Sequence, residues 1–198
     1  MNRFMKTISW LLLTTILLAG CNSSNFKAET DWEVEPFEHD SHRGEEVSLD
    51  SLNGTVWLAT FIFTNCTTVC APMTLNLTEV QDELIAQGVE DYKFVAFSVD
   101  PEVDSPDVLA NYLSKFNVPD ESKWNLLTGY DQGYMSQFAK NSFKAIVQDD
   151  PNTNQVLHYT NFYLVDQNGV VVKSYTGVEG VPTEEIASDM KALIEDGK

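Results

Sequence analysis

The chain has 198 residues, 12 of them basic and 30 acidic, for a formal net charge of −18. Such acidity argues against a nucleic-acid partner. It would also repel anionic lipid head groups, so residence at a membrane has to come from an anchor rather than from the protein surface.

At the front, Arg3 and Lys6 precede an apolar stretch from Ile8 to Leu18 that is interrupted by Ser9, Thr14 and Thr15. This is short for a spanning helix, which needs about 20 residues, and residues 1–20 read as an export signal. Leu18-Ala19-Gly20-Cys21 resembles a bacterial lipoprotein lipobox. The resemblance implies cleavage before Cys21 and lipidation of its thiol, which would place the protein on the extracytoplasmic face of the bacterial cell membrane. The alternative is an uncleaved anchor with an incidental cysteine. Removal of residues 1–20 takes away two cations and no anions, leaving a net charge of about −20. Residues 21–35 are polar and acidic and read as a lipidated tether. Roughly 160 residues follow (36–198), enough for one domain with a sizeable core.

Val56 to Phe63 is a nearly continuous apolar run, as expected of a strand covered on both faces. Cys66 and Cys70 follow at once, and Val69, Met73, Leu77, Val80 and Leu84 then recur at helical spacing, with Gly88 as a stop. Phe94 to Val99 is a second buried strand. Ser105-Pro106 opens a helix carrying Leu109, Tyr112, Leu113 and Phe116, which closes before Pro119. Asn125 to Thr128 is a short strand, and Asp131 caps a helix carrying Met135, Phe138 and Ala139. Phe162 to Val165 and Val170 to Tyr175 form a hairpin through Asp166-Gln167-Asn168-Gly169. Ile186, Met190, Leu193 and Ile194 mark a last amphipathic helix.

Alternating strands and helices ending in a hairpin and a helix predict an α/β domain on a mixed central sheet flanked by helices. The pattern resembles the thioredoxin fold, here with an N-terminal hairpin and an inserted hairpin before the histidine-bearing segment Val156 to Thr160. That fold implies that the later hairpin strand runs antiparallel to the cysteine-bearing strand, which brings His158 to Cys66 and Cys70.

A strand-to-helix junction favours thiolate, the form that attacks disulfides and binds metals. Two thiolates and an imidazole suit copper: the sulfurs hold Cu(I), and the nitrogen helps to accommodate Cu(II). The same residues have plainer readings. The cysteines can form a structural disulfide, although so short a loop stabilises little, and a lone histidine beside a strand is commonly a hydrogen-bonded structural residue. His39 and His42, beside a turn at Gly44, read as solvated, and Met73 reads as core.

Residues 36–198 resemble the Sco family of copper-binding, thioredoxin-like proteins involved in assembling cytochrome c oxidase. The likeness rests on Cys66-x-x-x-Cys70 after an apolar strand, Phe97-Ser98-Val99-Asp100-Pro101, Leu127-Thr128-Gly129, His158 before Phe162-Tyr163-Leu164-Val165-Asp166, and the leading Val47 to Gly54. It implies that Cys66, Cys70 and His158 are copper ligands. It further implies that the acceptor is the dinuclear copper centre of oxidase subunit II, with an upstream copper donor or a thiol reductant as a further partner. Asp100 holds a family position that implies a supporting or docking role. The chain departs from the common Cys-Pro-Asp-Val-Cys-Pro pattern at Thr67, Thr68 and Ala71. It also has no proline between Pro151 and Pro182, where thioredoxin-like reductases place one, and this leaves room for His158. The competing readings are a thiol-disulfide oxidoreductase in which Cys66 attacks and Cys70 resolves, and a peroxidase or redox sensor.

Overall fold

The computed structural model describes residues 26–153 and 155–197. The export signal, Cys21 and the first part of the tether lie outside them. Ten strands and four α-helices follow one another in the described residues.

The centre of the domain is β4 (Val56–Ile62), whose seven residues are all buried. A strand can be apolar on both faces only where both are covered, and this explains the continuous rather than alternating pattern of its sequence. It pairs in parallel with β5 (Tyr92–Ser98), and β5 pairs in parallel with β6 (Trp124–Thr128). Parallel neighbours need crossovers. These are supplied by α1 (Cys70–Ala86) and α2 (Pro106–Leu113). Gly88 ends the first crossover with φ +69°, a conformation open to glycine at little cost. The second begins where the Ser105 side chain accepts from the amide of Val108, a cap worth about 1 kcal/mol. Asp131 caps α3 (Gln132–Phe143) in the same way, through the amide of Tyr134. Phe138 and Phe143 of that helix pack on Phe97, and Phe143 also meets Phe61 edge-on at 5.5 Å.

On the other side of β4 the sheet turns antiparallel. β9 (Asn161–Val165) pairs with β4, β10 (Val170–Thr176) with β9, and α4 (Thr183–Asp196) packs on α1. The hairpin β2 (Glu38–Ser41) and β3 (Glu46–Ser48) continues the far edge beside β6, completing the order β1-β10-β9-β4-β5-β6-β2-β3. The expected mixed α/β sheet and N-terminal hairpin are therefore present. A separate hairpin of β7 (Val147–Asp149) and β8 (Val156–His158) is inserted after α3. It contains His158 instead of preceding the histidine-bearing segment, because Val147 finds its cross-strand partner in His158 itself.

The tether reading needs correction over its second half. β1 (Trp32–Glu33) pairs with β10, the amides of Glu29 and Thr30 donate to Val172 O, and Val34 is buried. Thr30, Trp32 and Val34 carry enough strand character to cap the open edge of β10, so the packed structure begins upstream of residue 36. No helix among the described residues is long and apolar enough to cross a membrane.

Candidate metal centre

The register of the sheet sets the site. β4 and β9 run antiparallel with Trp57 opposite Val165 and Ala59 opposite Tyr163, so the chain just upstream of β9 must pass the exit of β4. Thr60 Oγ1 donates to Asn161 O at 3.3 Å and confirms this alignment one step further on. His158, three residues earlier, thereby reaches the loop that carries the cysteines, and its ring lies edge-on to Phe63 at 5.8 Å.

Cys70 is the first residue of α1 and is buried, whereas Cys66 lies in the loop before it and is partly exposed. Both are free thiols. The Cys70 amide, one of the unpaired donors at the helix start, donates to Cys66 Sγ at 3.3 Å. Cys66 Sγ also lies 3.9 Å from Thr68 Oγ1. The hydrogen bond from the Cys70 side chain is the main cause that draws the Cys66 thiol down to about 3, against a smaller upward push from burial; the bond to His158 and the amide contacts assist. The partner behaves oppositely. As donor to the Cys66 sulfur, and through its own burial, Cys70 is pushed well above the usual thiol range. Their split is that of one proton shared between two sulfurs: an outer thiolate and an inner thiol.

His158 Nε2 lies 3.6 Å from Cys70 Sγ, and Nδ1 lies 2.9 Å from Tyr159 O. Since a carbonyl only accepts, Nδ1 is the donor in that contact, and this leaves Nε2 as the ring nitrogen that faces the sulfurs. Orientation of a ligating imidazole by a backbone carbonyl on its far nitrogen is common in metal centres. The two Sγ atoms and a ring nitrogen all lie within 4.8 Å of one another, the one such group among the described residues able to hold a metal ion. Two sulfurs and one nitrogen form a soft set with room for a fourth donor.

Sequence reasoning missed three supports. Gln155 spans the gap between hairpin and cysteine loop: its Oε1 accepts from the Thr67 amide at 3.3 Å and its Nε2 donates to Asn65 O at 3.2 Å. Thr74 Oγ1 donates to Cys70 O at 2.9 Å and meets Tyr112 OH at 2.7 Å beneath the helix start. Asp104 is fully buried and accepts from Thr64, two residues before Cys66. A single sequence offers no signal for these, because Gln, Thr and Asp are ordinary loop and helix residues until the fold brings them together. Asp100, which was singled out, lies in a cleft with Asn65, Glu102 and Asp149. Burial, then repulsion from Asp104, Asp149 and Glu102, raises its pKa, and among the described residues no hydrogen bond joins its carboxylate to Cys66, Cys70 or His158.

His39 and His42 are not solvated as expected. His42 is only 4% exposed, its Nδ1 accepts from the Leu126 amide at 3.2 Å, and its Nε2 is 3.5 Å from Glu121 without a hydrogen bond. His39 is half-buried among Phe37, Tyr130 and Tyr134. Both pKa values fall, chiefly through burial. The reason is that this segment is not a free turn: β2, with His39, pairs with β6, and His42 just after it stays bonded to Leu126, so both rings enter the packed edge. Met73 is fully buried, as expected of core.

Fold and site together define a thioredoxin-like domain in which a distant imidazole converts a cysteine pair into a three-donor centre for a soft ion. The chain belongs to the SCO1/SenC family, whose model matches residues 26–195. A SCO1/SenC family lipoprotein from Bacillus anthracis is 43% identical, with a TM-score of 0.79 over 82% of this chain and 95% of that one. BsSco, described as a member of the Sco family of cytochrome c oxidase assembly proteins, is 46% identical, with a TM-score of 0.77 over 86% of this chain and 98% of that one. Bradyrhizobium japonicum ScoI, solved with copper bound, is 27% identical, with a TM-score of 0.69 over 81% of this chain and 99% of that one.

Proposed function

We propose that this protein is a membrane-tethered copper carrier that helps to assemble the dinuclear copper centre of cytochrome c oxidase subunit II, holding its cargo ion between Cys66, Cys70 and His158. The observation that carries the reading is the 3.6 Å approach of His158 Nε2 to Cys70 Sγ, since a dithiol needs no imidazole to reduce disulfides but needs one to hold Cu(II) well. Copper in a solved relative and the oxidase-assembly role of another support it. Three donors leave an open position through which an acceptor sulfur can enter before a donor leaves, the geometry required for handover. Lipidation at Cys21 would fix the carrier on the outer face of the cell membrane, a reading supported by the description of the Bacillus anthracis relative as a lipoprotein. An upstream copper donor would reload it. Ile146, Leu157 and Tyr159 are exposed on the hairpin that bears His158, giving a partner apolar footing beside the site.

A titration of the reduced full chain in detergent with Cu(I) and with Cu(II) tests the proposal. One ion per chain and a sulfur-to-copper charge-transfer band are expected. Sub-micromolar copper binding by the double variant Cys66→Ser, Cys70→Ser would sink it. Metabolic labelling with a palmitate analogue tests the anchor, and an unlabelled wild type would refute it.

A second reading has its own observation. An outer thiolate at Cys66 beside an inner thiol at Cys70 is also the arrangement of a thiol-disulfide reductase, with attack by the first and resolution by the second. Its acceptor would be the cysteines of the same oxidase subunit, and a thiol reductant would restore it. Full biological activity of His158→Ala, with loss in either cysteine variant, would favour this reading.

A further inference from the structure

Asp104 is buried completely, yet it belongs to none of the ion pairs among the described residues. Isolated buried carboxylates are costly, and proteins keep few of them unless they are well hydrogen-bonded or neutralised. Here the hydrogen bonds are present. Thr64 Oγ1 donates to Oδ1 at 2.5 Å, Ser98 Oγ donates to Oδ2 at 2.7 Å, and the Thr64 amide reaches both oxygens at 3.2–3.3 Å. The Ser98 hydroxyl in turn accepts from the Asp100 amide at 3.1 Å, so its own proton is free to go to Asp104. Both carboxylate oxygens therefore act as acceptors, and the two short O–H contacts match those made to an ionised group. Among the described residues no cationic side chain pairs with it.

Its position gives that lack a meaning. Thr64 lies two residues after the end of β4 and two before Cys66, and Ser98 ends β5, the parallel neighbour of β4. Asp104, from the segment after β5, joins the exits of both strands and so fixes where the cysteine loop departs. Its charge also acts on Cys70 and on Tyr112 beneath it.

We propose that Asp104 is a positioning residue of the metal centre: it clamps the root of the Cys66 loop and supplies a fixed buried charge that favours a doubly charged copper ion over a singly charged one. This deepens the copper reading and rests on it. In the field of one fixed anion a divalent ion gains twice the free energy of a monovalent ion at the same place. Removal of the charge must therefore reduce Cu(II) affinity by about the square of the factor by which it reduces Cu(I) affinity.

The experiment compares the wild type with Asp104→Asn, Asp104→Glu and Thr64→Val, each as the full chain in detergent, by competition titration with Cu(I) and with Cu(II). For Asp104→Asn the expected losses are about threefold for Cu(I) and about tenfold for Cu(II). Asp104→Glu should restore the ratio of the two affinities. Thr64→Val keeps the charge but frees the loop, and should lower both affinities by one common factor. Equal factors for the two ions in Asp104→Asn would mark the residue as merely structural and overturn the charge role. Unchanged affinities in Thr64→Val would overturn the clamp, and this arm decides if Asp104→Asn does not fold. Failure of the wild type to bind either ion would instead overturn the copper reading itself, and this proposal with it.

Discussion

Cys70 Sγ and His158 Nε2 lie 3.6 Å apart across 88 residues of sequence. The sulfur is set by the start of α1, and the ring by the end of β8 and the Tyr159 carbonyl just before β9. Between them run the antiparallel pairing of β4 with β9 and the Gln155 link from the hairpin to the cysteine loop.

Loss of the ring separates the two oxidation states of copper. His158→Ala is expected to weaken Cu(II) binding about tenfold to a hundredfold while the two sulfurs keep Cu(I) within about threefold. Competition titrations with both ions check this. An equal loss for both would show that the ring serves the loop rather than the metal.

The shared proton of the cysteine pair predicts a pH signature. With Cys66 drawn down to about 3, its thiolate is fully formed at every pH from 5 to 8. Alkylation of Cys66 by iodoacetamide in the metal-free protein should therefore be nearly flat over that range, whereas an ordinary thiol, with a pKa of about 8.5, slows about tenfold per pH unit below it. Cys70, buried and shifted the other way, should react far more slowly. Peptide mapping by mass spectrometry reads both rates, and a Cys66 rate that climbs through pH 8 would contradict the assignment.

Burial of His42 makes the domain sensitive to acid. Its pKa in the folded state lies below the ordinary 6.5 because burial opposes the charged ring, so on acidification the unfolded chain takes up the proton first. The contribution to stability is whole above about pH 6.5 and is lost as pH falls from there through the lowered folded value. His42→Asn preserves an acceptor for the Leu126 amide but cannot titrate. Denaturant unfolding at pH 7 and pH 5 should show a smaller drop for the variant than for the wild type, and equal drops would place the acid sensitivity elsewhere.

Gly177 marks a close approach of two backbones behind the site. Its amide donates to Thr160 O at 2.8 Å, and a Cβ there would run into that same carbonyl oxygen and press on Phe162 and Met73. Gly177→Ala is expected to cost about 1–3 kcal/mol of stability. It should also lower copper affinity, because Thr160 follows His158 by two residues. Thermal unfolding and copper titration of the variant check both, and a wild-type melting temperature would show that the two segments can separate without loss.

The core strands were the most legible part of the fold. Val56 to Phe63 and Phe94 to Val99 are apolar without alternation, and the structure buries both on two faces. The caps at Ser105 and Asp131 and the stop at Gly88 fell where side-chain chemistry put them. The edges were less legible. Residues 29–34 have the composition of a tether but lie along β10, and His39 and His42 have the look of turn residues but are drawn in by β6. Edge strands are short and half-polar, so their pairing is decided by the neighbour they find rather than by their own pattern.

The sequence by itself determined that two cysteines stand where a buried strand gives way to a helix, because hydrophobic period and helix-start chemistry are local properties. It pointed to His158 only through the likeness of the whole pattern to a known fold. Tertiary structure alone decided the approach of His158 Nε2 to Cys70 Sγ, the Gln155 link from the hairpin to the cysteine loop, and the burial of Asp104 against Thr64. These depend on contacts between segments far apart in the chain, and the free energy of such contacts exists only once the sheet has brought them to the same place.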